Sequence, residues 1–208
     1  MEDSMRGLGR MGQMLLLLAV LLVGSVTAQQ KGTFTDSRDG QKYKTVKIGG
    51  QTWTAENMNV KTGTSWCYDD DESNCKKYGR LYDWETAKTV CPEGWHLPSR
   101  QEWNNLVKAA GGDRKAGKKL KAGSGWNNYN KKSGNGTDNF GFSALPGGGR
   151  GFDGNFGYAG DIGFWWTATE LSDGNACSRG MGYDDDYVYE ISIVKSVGFS
   201  ARCVADRP

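Results

Sequence analysis

The chain has 208 residues, and 26 Lys and Arg against 24 Asp and Glu leave a formal charge of only +2. So balanced a charge gives no sign of nucleic acid, and with no basic stripe carrying interleaved aromatics no nucleic-acid partner is expected. The 31 Gly, 8 Trp and only 4 Pro instead describe a chain of tight turns and irregular loops, pinned by large rings that each bury much area.

The one strongly apolar run is Met14 to Val23 (MLLLLAVLLV). It is too short for the roughly 20 residues that a helix needs to span a bilayer, and has the length of a signal-peptide core. Arg6 and Arg10 precede it, and Val26-Thr27-Ala28 offers small residues before a cut after Ala28. Residues 1–28 are therefore expected to be a cleavable secretory signal. The remainder is expected to be secreted, or held at the cell surface or in the periplasm, without a transmembrane segment. No Cys follows the apolar run, which argues against a lipid anchor. Residues 29–38 read as a polar leader, and residues 39–208 as one domain long enough for a real core.

Within that domain, Tyr43, Val46 and Ile48 lie on one arm of a predicted hairpin and Trp53 on the other. Gly49-Gly50 forms the turn, since a two-residue hairpin loop wants positive φ. Asn57 to Gly79 reads as a loop containing Cys67, the acidic run Asp69–Glu72 and Cys75. From Leu81 to Val90, the positions of Leu81, Trp84 and Ala87, with Cys91 beyond, predict a helix. A second helix opens on a capping box, Ser99-Arg100-Gln101-Glu102, presents Trp103, Leu106, Val107 and Ala110 on one face, and ends at Gly111-Gly112.

Gly111 to Asp161 shows no period and reads as a long irregular loop region with isolated aromatics, its Lys115–Lys121 stretch solvated. Phe164 to Thr169 predicts a short strand. Tyr187–Val194 and Val197–Val204 alternate with period 2 and predict a closing hairpin through Lys195-Ser196.

The five cysteines, at 67, 75, 91, 177 and 203, all follow the signal, so disulfides are the expectation in an oxidising compartment. Their odd number leaves at least one thiol free or paired with another chain. Cys67 and Cys75 bracket the acidic loop and could close it. With no C-x-x-C pair, and His96 as the sole histidine, zinc is not expected.

Several stretches carry a family resemblance: Ile48-Gly49-Gly50-Gln51-Thr52-Trp53, Ala55-Glu56-Asn57-Met58-Asn59, Cys91-Pro92-Glu93-Gly94-Trp95-His96-Leu97-Pro98, Asn139 to Gly148, Phe164-Trp165-Trp166-Thr167 and Gly198 to Val204. From about residue 35 to 204 the chain resembles the Fibrobacter succinogenes major paralogous domain. Trp84 to Cys91 and Gly94 to Leu106 also resemble the two-helix opening of C-type-lectin-like domains. The resemblance implies an exported bacterial α+β domain of lectin-like fold, with two helices, small antiparallel sheets and a long irregular loop region. It implies a Cys91–Cys203 disulfide, which makes Cys67–Cys75 the natural second pair and leaves Cys177 as the odd thiol, expected as a buried apolar filler ahead of a reactive or intermolecular role.

For function, the E-P-N or Q-P-D and W-N-D motifs of calcium-dependent lectins do not occur, so no metal or cofactor is expected and calcium has no motif behind it. The acidic runs Asp69–Glu72 and Asp184–Asp186 read as solvated turns. Gly149, Gly151 and Gly154 spell G-x-G-x-x-G without the strand–turn–helix context of a nucleotide site. Formylglycine-generating oxidases share the lectin-like fold and a similar L-P-x-x-x-E-W segment, but use a cysteine pair with no convincing equivalent here. The expectation is therefore a non-catalytic binding module for a polysaccharide or a surface protein, with an enzyme of that oxidase branch or a structural surface component as the alternatives. Trp126, Phe152, Phe156 and Tyr158, in the long loop region, are its candidate ligand-binding residues.

Overall fold

A computed structural model describes residues 30–206; the expected signal, residues 1–28, lies outside them. Strand β1 (Lys31–Thr35) pairs antiparallel with β2 (Lys42–Ile48), so half of the expected polar leader is an edge strand. β2 returns as β3 (Gln51–Thr54) through Gly49 and Gly50, at φ 59° and 83°, and Ile48 faces Gln51 as the hairpin predicts. After β4 (Ser65–Trp66), helix α1 (Glu72–Tyr78) is capped by Asp71, whose carboxylate accepts from the Ser73 N–H. The helix expected over 81–90 is shorter. Leu81 and Tyr82 form β5, drawn into pairing with Trp66 and Ser65, and only Trp84–Ala87 coils, as α2.

β6 (Trp95–His96) leads to α3 (Arg100–Ala109), which starts on Ser99 with both halves of the expected capping box formed. The region beyond is more ordered than its composition suggests. It holds α4 (Asp113–Leu120), the small hairpin β7 (Asn128–Tyr129) and β8 (Lys132–Ser133), then β9 (Gly147–Arg150) and β10 (Phe156–Ala159). Lys121, expected to be solvated, is buried. β11 (Ile162–Glu170), β12 (Asn175–Gly182), β13 (Tyr189–Val194), β14 (Phe199–Ser200) and β15 (Val204–Ala205) complete the chain.

The result is an α+β protein dominated by strands. One sheet runs β1-β2-β3-β15-β6; a larger one runs β10-β9-β11-β14-β5-β4, with β12 on β11 and β13 on β12. The expected closing hairpin is overturned. β13 pairs along its length with β12, Cys177 opposite Ser192, while Ser200 lies parallel beside Trp165 and Val204 pairs with Trp53 and His96. The period-2 signal was sound, but the partner strand β12 (NACSRGMG) is buried on both faces and so lacks alternation.

β11 explains how the core is divided. Successive side chains of a strand point to opposite faces, so Trp165 joins Trp53, Trp103 and Phe142 in one apolar cluster while Trp166 joins Tyr82, Trp84 and Phe199 in the other. Each indole N–H of this pair is satisfied: Trp165 donates to Asn57 Oδ1 at 2.9 Å and Trp166 to the Tyr82 carbonyl at 2.7 Å.

Candidate binding cleft

A buried guanidinium fixes the frame around the site. Arg202 donates through Nε to Asn57 Oδ1 at 2.7 Å, through Nη1 to the Thr54 and Phe142 carbonyls at 2.9 and 2.6 Å, and through Nη2 to Ser143 O at 3.0 Å. Burial pulls its pKa down to about 9, still above neutrality, so it remains charged. Asn57 uses its amide N–H to hold Tyr78 O and Ser200 Oγ. Three stretches that carry the family resemblance thus meet in one polar knot between sheets.

Both expected disulfides are present: Cys67–Cys75, with Cα atoms 4.9 Å apart, and Cys91–Cys203, at 5.8 Å. Cys177 is free and buried, and burial pushes its thiol pKa up, as an inert filler requires. Glu72 lies near Cys67 and Cys75, but those sulfurs are consumed by their bond and offer no metal thiolates. In the Asp184–Asp186 turn, Lys121 Nζ donates to the Gly182 and Asp185 carbonyls at 2.8 and 2.7 Å, so an ammonium already serves the turn's inward-facing oxygens.

The four expected ligand-binding residues do not all lie together. Trp126 is a correction: only 4% exposed, it packs in the first core cluster and donates its indole N–H to Ala144 O at 3.0 Å. The surrounding Gly and Asn give it the look of a loop residue, yet Lys121, just past α4, and the chain at Ala144 lie against it. Phe152, Phe156 and Tyr158 do converge, on one open cleft of about 480 Å³. Its floor is the face of β11, β13 and β14 bearing Phe164, Ile191, Ile193 and Phe199. Phe164 stacks on Phe199 with centroids 4.6 Å apart and planes within 12°.

The wall comes from β9 and β10 and the turn between them. Phe156 is half-buried against Tyr68, 5.4 Å between centroids, whereas Phe152 and Tyr158 are 79% and 62% exposed. Tyr158 meets Phe164 edge-on at 6.1 Å. It is also held at φ 70°, a left-handed conformation that costs a bulky residue about 1–3 kcal/mol. Gly149, Gly151 and Gly154 are the backbone of this wall. At Gly149 a Cβ would lie 2.8 Å from Phe199, so the missing side chain lets the wall sit close on the floor. Arg150, on the wall, and Phe164, Phe199, Ile191 and Ile193, on the floor, were not singled out as site residues. The alternating apolar pattern that announces strands does not tell which face stays uncovered.

His96 stands apart from this cleft. Its Nδ1 lies 2.6 Å from Asp206 and its Nε2 2.9 Å from Glu102, the capping-box carboxylate. It ties β6, the start of α3 and the end of the described chain together.

These features define a class: a disulfide-clamped α+β domain presenting one preformed aromatic cleft, with no helix among the described residues long and apolar enough to cross a membrane. The chain belongs to the Fibrobacter succinogenes major domain family, whose model matches residues 46–205. No curated protein and no solved structure matches it.

Proposed function

We propose that the protein is a secreted or surface-associated, non-catalytic binding module of C-type-lectin-like fold that recognises a polysaccharide through the aromatic cleft. The carrying observation is the pair of rings, Phe152 and Tyr158, left exposed on a wall braced by Phe156 and a floor of stacked Phe164 and Phe199. Rings held open on a rigid frame suit the apolar faces of sugars. The strained backbone of Tyr158 agrees with such a role, because strain kept at an exposed residue points to use rather than to packing. Export is supported by the signal-like residues 1–28 and by two disulfides, which persist in oxidising compartments.

The rival reading, an oxidase of the formylglycine-generating kind, requires two free thiols side by side. Cys177 is the only free cysteine among the described residues, and it is buried in β12.

Glycan arrays and pull-down on insoluble polysaccharides test the proposal. The wild-type protein should be retained, and Phe152→Ala should weaken retention about tenfold. Tyr158→Gly should remove binding while the melting temperature stays level or rises, since glycine accepts the left-handed backbone freely. A folded wild-type protein that no glycan retains would sink this reading, and retention of a surface protein instead would put the cleft to the alternative use.

A further inference from the structure

We infer that the polysaccharide bears carboxylates, as a uronate-containing chain does, and that Arg150 receives one of them; this rests on the glycan-binding reading above. Arg150 ends β9 and lines the cleft beside Phe152 and Phe156. Its backbone is tied on both edges: it exchanges hydrogen bonds of 2.9 and 2.8 Å with Gly198 and faces Phe156 across the β9–β10 pair. Its guanidinium carbon sits 4.3 Å from the centre of the Trp66 ring and 5.8 Å from that of Phe156. Two glycines leave room for this arrangement. A Cβ on Gly198 would come within 3.0 Å of Trp66 and 3.1 Å of Arg150, and one on Gly154, itself at φ 88°, within 3.1 Å of Arg150 Nη2.

The guanidinium is therefore oriented by rings and bare backbone, not by an acid. Among the described residues it forms no ion pair and its side chain donates no hydrogen bond; the ion pairs of the other arginines are those of Arg38, Arg80, Arg100 and Arg179. The nearby carboxylate, Asp153, accepts from the Asn155 N–H and side-chain amide at 3.1 and 2.7 Å and forms no ion pair with Arg150. A planar fork of donors held without acceptors on the wall of an apolar cleft is complementary to a carboxylate, which it grips with two parallel hydrogen bonds. A neutral sugar could stack on Phe152 and Tyr158 but would leave that fork to water. A uronate satisfies rings and fork together.

Affinity electrophoresis in gels containing polygalacturonate, its carboxyl-reduced neutral form, or dextran sulfate tests the assignment at near-physiological salt. The wild-type protein should be retarded by polygalacturonate, and about tenfold more weakly by the reduced polymer, the range expected for a charge-assisted pair. Arg150→Gln and Arg150→Lys should both lose that preference, with melting temperatures unchanged. Equal retardation by polygalacturonate and its reduced form would overturn the inference while leaving glycan binding intact. So would Arg150→Lys behaving as wild type, or dextran sulfate binding as tightly, since either would reduce the effect to bulk charge. Retardation by no polysaccharide, neutral or acidic, would overturn the underlying reading as well. Because the reduced polymer changes the ligand alone, the comparison holds even if an Arg150 variant folds poorly.

Discussion

At the scale of single residues, His96 is the group whose chemistry changes most near neutral pH. Both its ring nitrogens face carboxylates, Asp206 on one side and Glu102 on the other. Only the imidazolium can donate to both at once; the neutral ring turns a lone pair toward one of them. Burial works against the charged form, but the hydrogen bonds to Asp206 and Glu102 outweigh it, and the pKa ends above its ordinary value. The sign follows. A raised folded pKa means stabilisation that is complete below the unfolded value of about 6.5 and fades as pH rises through the folded one. The melting temperature of the wild type should therefore exceed that of His96→Gln at about pH 5.5, with the gap narrowing as pH rises through the raised folded pKa. A gap of constant size across that range would show that His96 acts by packing alone. Arg202 illustrates a different kind of residue. Its stretch, Gly198 to Val204, is among the most recognisable in the chain, yet its side chain is wholly enclosed and bonded to Asn57 and three carbonyls. The family signature at Arg202 is a structural knot, while the same stretch gives the cleft floor its Phe199.

Among the elements, α4 shows what local sequence conceals. Asp-Arg-Lys-Ala-Gly-Lys-Lys-Leu has a glycine at its middle and only Ala116, Gly117 and Leu120 buried, too little apolar stripe to announce a helix. Packing supplies the reason for the glycine. A Cβ on Gly117 would lie 2.6 Å from the Asp186 carbonyl oxygen and 2.8 Å from that of Tyr187, and the Gly117 N–H donates to Asp186 O at 2.9 Å. Gly→Ala inside a helix is normally worth about 1 kcal/mol of stability. Here Gly117→Ala should instead destabilise by about 1–3 kcal/mol, because the atoms in its way are backbone. Urea denaturation measures the sign, and a stabilised variant would refute the close approach. The same contrast explains what could be read in advance. The Gly49-Gly50 hairpin and the Ser99–Glu102 capping box are local devices, complete within a few residues, and both are present. The burial of Trp126 against Ala144 and the placing of Arg150 beside Trp66 depend on segments separated in the chain, which no short-range pattern encodes, and β12, though next to β13 in sequence, is buried on both faces and shows no alternation to announce it. Phe152, Phe156 and Tyr158 stand close together in sequence, so their neighbourhood is legible there; the floor beneath them, from β11, β13 and β14, joins separated segments and is not.

Over the whole molecule, the two disulfides perform different tasks. Cys91 and Cys203 are 112 residues apart in sequence, and their bond fastens the segment after α2 to the residue that leads into the last strand. Closing so long a loop restricts the unfolded chain by about 4–5 kcal/mol in the loop-entropy account, against about 2–3 kcal/mol for the short loop between Cys67 and Cys75. The short bridge has a local consequence that the long one lacks. Tyr68, the residue after Cys67, packs on Phe156, and Phe156 braces the cleft wall beside Arg150. Loosening that loop frees one side of the wall without unfastening the sheets. Replacing Cys91 and Cys203 together by Ser should thus lower unfolding stability by about 4 kcal/mol, yet leave ligand affinity near wild type under conditions where the protein stays folded. Replacing Cys67 and Cys75 should cost less stability and weaken binding more. Denaturant titration and binding on the same four-cysteine series separate the two effects. If both double variants lost stability and affinity in the same proportion, the cleft would have to be a property of global stability, and the division of labour between clamp and brace would be wrong.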